Sequence, residues 1–203
     1  MPPQLGFIGL GFMGKPMATR LLAAHYSVAV HNRSQGAVRD LASRGAIPCK
    51  TAREVAQQAQ VILTMLPDAP EVEEVLLGKD GVVEGALPGS TVIDMTTNNP
   101  EVSAYLAERL QEKQLMMLDA PVSGGDMGAR NGTLSIMVGG PKDAFEVGRP
   151  ILEKLGHKIV HVGPRVGMGG HAKLANQILV SVTLAGMSEA LVYGTKAGID
   201  PAL

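Results

Sequence analysis

Seven short β-type runs alternating with helix-start signals, a glycine fingerprint at the exit of the first run, and one long apolar helix near the C-terminus predict the fold class of this 203-residue chain. It is α/β: a Rossmann-type, doubly wound, mainly parallel sheet followed by a long interdomain helix. The runs fall at residues 5–9, 28–31, 61–65, 91–94, 115–118, 134–138 and 158–162. Their alternation with helical segments is the signature of parallel strands joined by crossovers.

The first run leads into Gly9-Leu10-Gly11-Phe12-Met13-Gly14, a G-x-G-x-x-G that opens a helix reaching residue 22. At such a junction the first glycine permits a tight turn, the second lets main-chain N–H groups approach a pyrophosphate, and the third allows close helix packing. The helix N-terminus adds partial positive charge, so dinucleotide binding by Gly9, Leu10, Gly11, Phe12, Met13 and Gly14 is expected. The second run ends in His31-Asn32-Arg33-Ser34. NAD-binding sheets place a carboxylate there, on the ribose 2′-OH. That tetrapeptide holds no acid, and Asn32, Arg33 and Ser34 can pair with a 2′-phosphate, so NADP is expected over NAD. An arginine solvated in a turn is the plainer alternative.

Thr51 and Glu54 have capping-box spacing, and Asn99-Pro100-Glu101 puts a cap residue before a first-turn proline. At the intervening strand exits, Met65, Leu66 and Pro67 can line a ribose, although a proline that only ends a strand fits as well. Thr96 and Thr97 offer hydroxyls where a nicotinamide ribose would lie, and an ordinary threonine turn fits equally. The run at 115–118 exits into Asp119-Ala120-Pro121-Val122-Ser123-Gly124-Gly125. Consecutive glycines after a serine let N–H groups converge on an anion such as a substrate carboxylate, with the Ser123 hydroxyl as a further donor. Ser123 has no G-x-S-x-G context, which argues against a hydrolase nucleophile.

Residues 163–170, GPRVGMGG, read as a loop, and one helix is expected over 171–197. Asn176, Gln177, Ser181, Thr183 and Glu189 interrupt its apolar stretch, so a buried helix of a soluble protein is expected rather than a bilayer span. At 3.6 residues per turn, Lys173, Asn176, Gln177, Val180, Ser181 and Leu184 share a face. One ammonium and two amides suit a small enclosed polar cavity; a lysine reaching from the helix start to water is the alternative. Beside a dinucleotide and an anion-binding loop, Lys173 becomes the candidate proton donor to a carbonyl that receives hydride. Asn176 and Gln177 would then hold the substrate hydroxyl or carboxylate. The expected organisation is an NADP-binding unit over 1–163 and a loop with a long helix over 164–203. No metal is called for.

A net charge of −1, 3% aromatic residues and no Trp leave neither a basic stripe nor stacking platforms, so no nucleic-acid partner is expected. Cys49, the single cysteine, cannot form an internal disulfide and reads as core filler in a reducing compartment. The opening MPPQLGFIGLGFMG lacks a basic n-region and a long apolar segment, so neither signal peptide nor membrane anchor is expected, and a cytoplasmic location is.

GFIGLGFMGKPMATRLL, TMLPD, IDMTT, DAPVSGGDMGARNGTLSIMVGG and GHAKLANQ together resemble the β-hydroxyacid dehydrogenase family, in order and across essentially the whole chain. The resemblance implies a Rossmann domain, catalytic Lys173, substrate binding by Ser123, Gly124 and Gly125, Asn176 or Gln177 beside the lysine, and cofactor contacts from Leu66, Pro67 and Thr97. It implies reduction of a small carboxylated aldehyde to a hydroxy acid. KLANQ followed by AGMSEAL is most similar to the branch acting on tartronate semialdehyde (2-hydroxy-3-oxopropionate), with 3-hydroxyisobutyrate, glyoxylate and succinic semialdehyde chemistries as alternatives. Related decarboxylating members carry histidine where this chain has Asn176, which disfavours decarboxylation. Members preferring NAD carry Asp in place of Asn32, in line with NADP. Members also continue into a further helical domain that closes over the site, most of which this chain lacks. A non-catalytic NADP-binding module is therefore the competing reading, and an apolar helix of this size predicts a homo-oligomer joined through it or poor solubility.

Overall fold

The computed structural model describes residues 4–202; residues 1–3 and 203, at the outer ends of the two expected segments, lie outside the described residues. The sheet contains β1 (Leu5–Ile8), β2 (Val28–His31), β3 (Ile47–Pro48), β4 (Val61–Thr64), β5 (Thr91–Asp94), β6 (Met116–Asp119), β7 (Val122–Ser123), β8 (Leu134–Gly139) and β9 (Gly156–Gly163). The helices are α1 (Gly14–Ala23), α2 (Gln35–Ala42), α3 (Ala52–Gln58), α4 (Ala69–Leu77), α5 (Pro100–Gln111), α6 (Gly125–Asn131), α7 (Lys142–Leu152) and α8 (Met168–Lys196).

Six strands run parallel in the order β3-β2-β1-β4-β5-β6, the doubly wound arrangement whose crossovers cover both faces. Successive residues point to opposite faces: Leu5, Phe7, Val28 and Val30 join one core with Met17, Leu21 and Leu41, while Ile8, Ala29 and Ile62 join the other with Val55, Leu76 and Leu106. Cys49 lies in the second core, at 3% exposure. Past β6 the direction reverses. Asp119 pairs with Gly139, Val122 with Ile136 and Ser123 with Ser135, so β6 and β7 are one line along β8, broken only at Ala120-Pro121. β9 then closes the sheet parallel to β8.

The capping signals work as their spacing predicts. Thr51 Oγ1 accepts from the Glu54 N–H at 3.1 Å, and Asn99 Oδ1 accepts from the Glu101 N–H at 2.9 Å. Glu54 reaches back to the Lys50 N–H, one residue before the cap.

Three expectations need correction. β3 and β7 are additional strands; each has two residues, too few to show a period. The expected loop over 163–170 is shorter, because β9 runs to Gly163 and α8 already begins at Met168. The largest difference concerns α8, expected to be buried: beyond Lys173 its apolar residues are exposed on all sides, Ile178 by 66%, Val182 by 68% and Leu191 by 52%. No element among the described residues packs over that length, so hydropathy there reports a surface without its cover. By length and composition α8 could also cross a bilayer.

A Cβ on Gly14 would overlap the Gly9 carbonyl oxygen, whereas one on Gly11 would meet nothing within 4 Å. Gly14→Ala is therefore expected to destabilise by about 1–3 kcal/mol, each kcal/mol lowering Tm by about 2–4 °C in a domain of this size, and Gly11→Ala to leave Tm nearly unchanged. Equal melting temperatures in thermal unfolding would contradict the close helix–turn contact.

Candidate active site

All the strand exits from β1 to β6 lie on one edge of the parallel sheet, where open α/β sheets bind ligands. At the β1 exit, Gly9 adopts φ +93° against the Met65 carbonyl, a close approach and a backbone state that both require glycine. The turn turns Leu10 into the core and leaves Phe12 72% exposed at its lip. Asn32 Oδ1 accepts from the Leu10 N–H at 2.9 Å, so that donor is engaged within the fold. The N–H groups of Gly11, Phe12 and Met13 meet no acceptor among the described residues. Three unpaired donors at a helix N-terminus, beside the open space at Gly11, fit a pyrophosphate.

This turn borders a cleft of about 490 Å³ lined also by His31, Asn32, Arg33, Ser34, Met65, Leu66 and Pro67, but not by Thr96 or Thr97. Asn32 Nδ2 donates to Ser34 Oγ at 2.9 Å and to the Ser34 carbonyl, which holds the second turn and leaves the Ser34 hydroxyl proton for another acceptor. Arg33 is exposed at the mouth. Glu71 and Glu74 from α4 face the same cleft, two carboxylates absent from the tetrapeptide that suggested the coenzyme. Hydrogen bonding with the Asp68 carboxylate pushes the Glu71 carboxyl up, and the Arg33 charge opposes the shift.

Beneath the cleft, Thr64 Oγ1 donates to Asp94 Oδ1 at 2.9 Å, the Thr96 N–H donates to the same oxygen at 3.1 Å, and Thr96 Oγ1 accepts from the Leu66 N–H at 3.0 Å. Thr96 thus supports the cleft from below, while Thr97 beside it is exposed. Full burial pushes the Asp94 carboxyl up, against the hydrogen bonds from Thr96 and Thr64. The sequence reading missed Asp94; an acid ending a parallel strand in an apolar run is the signal that could have found it.

At the β6 exit Gly124 has φ +129° and Gly125 φ +60°, so the bend after Ser123 needs both glycines. Ser123 is half-buried, Gly124 and Gly125 are exposed, and a Cβ on Gly125 would meet nothing within 4 Å. Asp119, four residues earlier, is 2% exposed, and its Oδ2 accepts from the Gly170 N–H in the first turn of α8 at 2.7 Å. Three residues after Gly170 comes Lys173, 8% exposed and the only buried cationic side chain among the described residues. Burial lowers its pKa below the usual lysine value. The expected enclosed stripe is narrower than the helical face drawn from sequence: Asn176 is half-buried and Gln177 exposed, with Asn176 Nδ2 3.4 Å from Gln177 Oε1.

Comparison with known proteins bears on this edge as a whole. Residues 4–163 match the model of the NAD binding domain of 6-phosphogluconate dehydrogenase, and residues 167–203 that of the NAD-binding region of NADP-dependent 3-hydroxyisobutyrate dehydrogenase. The chain is 46% identical to 2-hydroxy-3-oxopropionate reductase of Escherichia coli (strain K12), over 98% of this chain and 67% of that protein. It is 43% identical to 3-hydroxyisobutyrate dehydrogenase of Pseudomonas aeruginosa, again over 98% and 67%. A solved structure of Mycobacterium tuberculosis 3-hydroxyisobutyrate dehydrogenase with L-serine superposes with a TM-score of 0.91 at 32% identity, covering 98% of this chain and 67% of that one. The chain thus spans about two-thirds of the length of these relatives. Both family models and this level of identity establish that the chain belongs to the β-hydroxyacid dehydrogenase family, whose named members are NAD(P)-dependent dehydrogenases and reductases acting on hydroxyl groups.

Proposed function

We propose that this chain carries the coenzyme site and the proton donor of an NADP-dependent reductase of small carboxylated aldehydes, with tartronate semialdehyde as first substrate. The single observation that supports it is the burial of Lys173 on a helix whose first turn is joined to the exit of β6. NADP bound along Gly9–Gly14, with its 2′-phosphate on Arg33 and Ser34, would supply hydride from its reduced nicotinamide. Met65, Leu66, Pro67 and Thr97 would border its ribose side. Ser123, Gly124 and Gly125 would receive the substrate carboxylate, and Asn176 and Gln177 would orient the carbonyl or hydroxyl without competing for the proton. As the carbonyl carbon is reduced, negative charge grows on its oxygen, and the Lys173 ammonium opposite stabilises that charge and delivers the proton. A lysine whose pKa burial has lowered gives up its proton more readily, and in the reverse direction its neutral amine accepts the alcohol proton.

The matches of residues 167–203 to an enzyme's nucleotide-binding region support reading α8 as part of this catalytic fold, with no membrane partner. Its exposed Leu174, Ile178, Leu179, Val182, Leu184 and Leu191 support a homo-oligomer joined through it. The exposure of Gln177 and of α8 beyond it favours the second reading, an NADP-binding module without turnover.

NADPH oxidation with tartronate, methylmalonate and succinic semialdehydes and glyoxylate separates these readings: turnover fastest with tartronate semialdehyde supports the first, NADPH binding with no turnover selects the second. Lys173→Ala is expected to lower kcat by roughly 10²–10⁴-fold while NADPH affinity holds, and loss of binding as well would contradict its role. The reduction rate is expected to fall as pH rises through the lowered Lys173 pKa, so a profile flat to pH 10 would count against it. Arg33→Ala is expected to weaken NADPH roughly 10–100-fold, the worth of charge-assisted hydrogen bonds, and NADH little; equal losses would contradict the 2′-phosphate assignment. Size-exclusion chromatography with light scattering should give at least twice the chain mass of 21.2 kDa, and a well-behaved monomer would contradict association through α8.

A further inference from the structure

We propose that Asp119 is the positioning residue for Lys173: its carboxylate fastens the first turn of α8 to the end of β6 and so fixes where the lysine amine stands relative to the Ser123–Gly125 bend. The proposal rests on the proton-donor reading of Lys173.

Asp119 connects the strand that leads to one motif with the helix that carries the other. Ser123 follows Asp119 by four residues in the same register along β8, anchored at Asp119–Gly139 and at Ser123–Ser135. On the other side its Oδ2 holds the N–H of Gly170, and Lys173 lies three residues on, one turn along the same side of α8. A rigid strand and the first turn of a helix therefore meet at one carboxylate. The surroundings are cleared for it. A Cβ on Gly139 would overlap Asp119 Oδ1, one on Gly169 would come to 2.5 Å from the Asp119 carbonyl and 3.0 Å from Oδ2, and one on Gly170 would touch Oδ2 at 3.6 Å.

The fold gains little from the charge itself. Asp119 Oδ1 is buried with no hydrogen-bond partner among the described residues, an arrangement that costs more for an ionised oxygen than for a neutral one. Burial pushes the Asp119 pKa up to about 6, opposed by the Gly170 and Gly167 N–H groups and assisted by the Asp94 charge from β5. The neighbouring elements offer few other charges: Arg165 precedes α8, His171 and Lys173 lie on it, and the faces that α5 and α7 bury carry Leu106, Leu110, Ala144 and Gly148. Because the folded pKa lies above the ordinary 3.8, the stability linked to this proton is full below 3.8 and is lost as pH rises through about 6. The ionised fastener therefore exists at neutral pH against the interest of stability, which is expected of a group kept for its effect on a site.

Asp119→Asn keeps the shape and one acceptor but removes the charge. The variant is expected to melt at or above the wild-type temperature at pH 8, to bind NADPH within about twofold of wild type, and to lose about tenfold in kcat, the difference between a charge-assisted hydrogen bond and a neutral one. An acid limb in the wild-type reduction rate is expected to vanish in Asp119→Asn; a limb that persists there belongs to Glu71 or Asp94, whose carboxyls are also pushed up, and counts against the proposal. Exchange of the Gly170 amide, followed by NMR on the same chain, needs no turnover: its protection, corrected for intrinsic exchange, should drop below pH 6 in wild type and not in the variant. Wild-type kcat with the acid limb intact in Asp119→Asn, or Gly170 protection indifferent to pH across 6 in wild type, overturns the proposal. Full turnover by Lys173→Ala overturns the proton-donor reading and, with it, the positioning role.

Discussion

Six strands of this sheet point the same way, and that constraint decides where chemistry can gather. A parallel sheet must return each crossover helix to the opposite end, so every turn that follows a strand opens on a single edge. The glycine turn after β1, the Asn32–Ser34 turn after β2, Leu66 after β4, Thr96 after β5 and the Asp119–Gly125 segment after β6 become neighbours although up to 116 residues separate Gly9 from Gly125. The donors of Gly11, Phe12 and Met13 stay unpaired there because the first turn of a helix has no internal acceptors to offer them.

Below that edge, polar groups are buried in two linked sets. Thr64, Asp94 and Thr96 join the exits of β4 and β5 and reach the Leu66 N–H that shapes the cleft. Asp119 joins the exit of β6 to α8. Each carboxyl is held through one oxygen by N–H or hydroxyl donors, while Asp94 Oδ2 and Asp119 Oδ1 are buried without a partner among the described residues, and burial pushes both carboxyls up. These sets form the floor of the site. Its other side is open: from Leu174 onward α8 presents apolar residues to solvent, and Gln177 stands with them.

Much of this was legible in the residues themselves. The parallel strands were visible because short apolar runs alternate with capped segments, and the Thr51 and Asn99 caps form where their spacing says. The turn glycines were legible because sterics at Gly9 and Gly14 admit nothing else. What escaped depended on distant partners. The start of α8 at Met168 is favoured by the bond from Asp119, roughly fifty residues away in sequence, which a local reading of GPRVGMGG cannot contain. β7 was hidden by Pro121, which interrupts its line with β6, although the pairing with β8 runs through on both sides. Glu71 and Glu74 reach the coenzyme cleft from α4, far in sequence from the β2 exit that suggested the coenzyme. The apolar run of α8 predicts burial because hydropathy registers what a face prefers, and says nothing of whether a cover is present.

The account turns on whether the amine of Lys173 and the Ser123–Gly125 bend serve one substrate. A crystal structure of the chain with NADP and an unreactive small hydroxy acid tests this most directly. The account predicts the acid's carboxylate on the N–H groups of the bend and its hydroxyl within about 3 Å of Lys173 Nζ, hydrogen-bond distance for proton transfer. A hydroxy acid bound elsewhere, or an amine turned away from the bound acid, would contradict it.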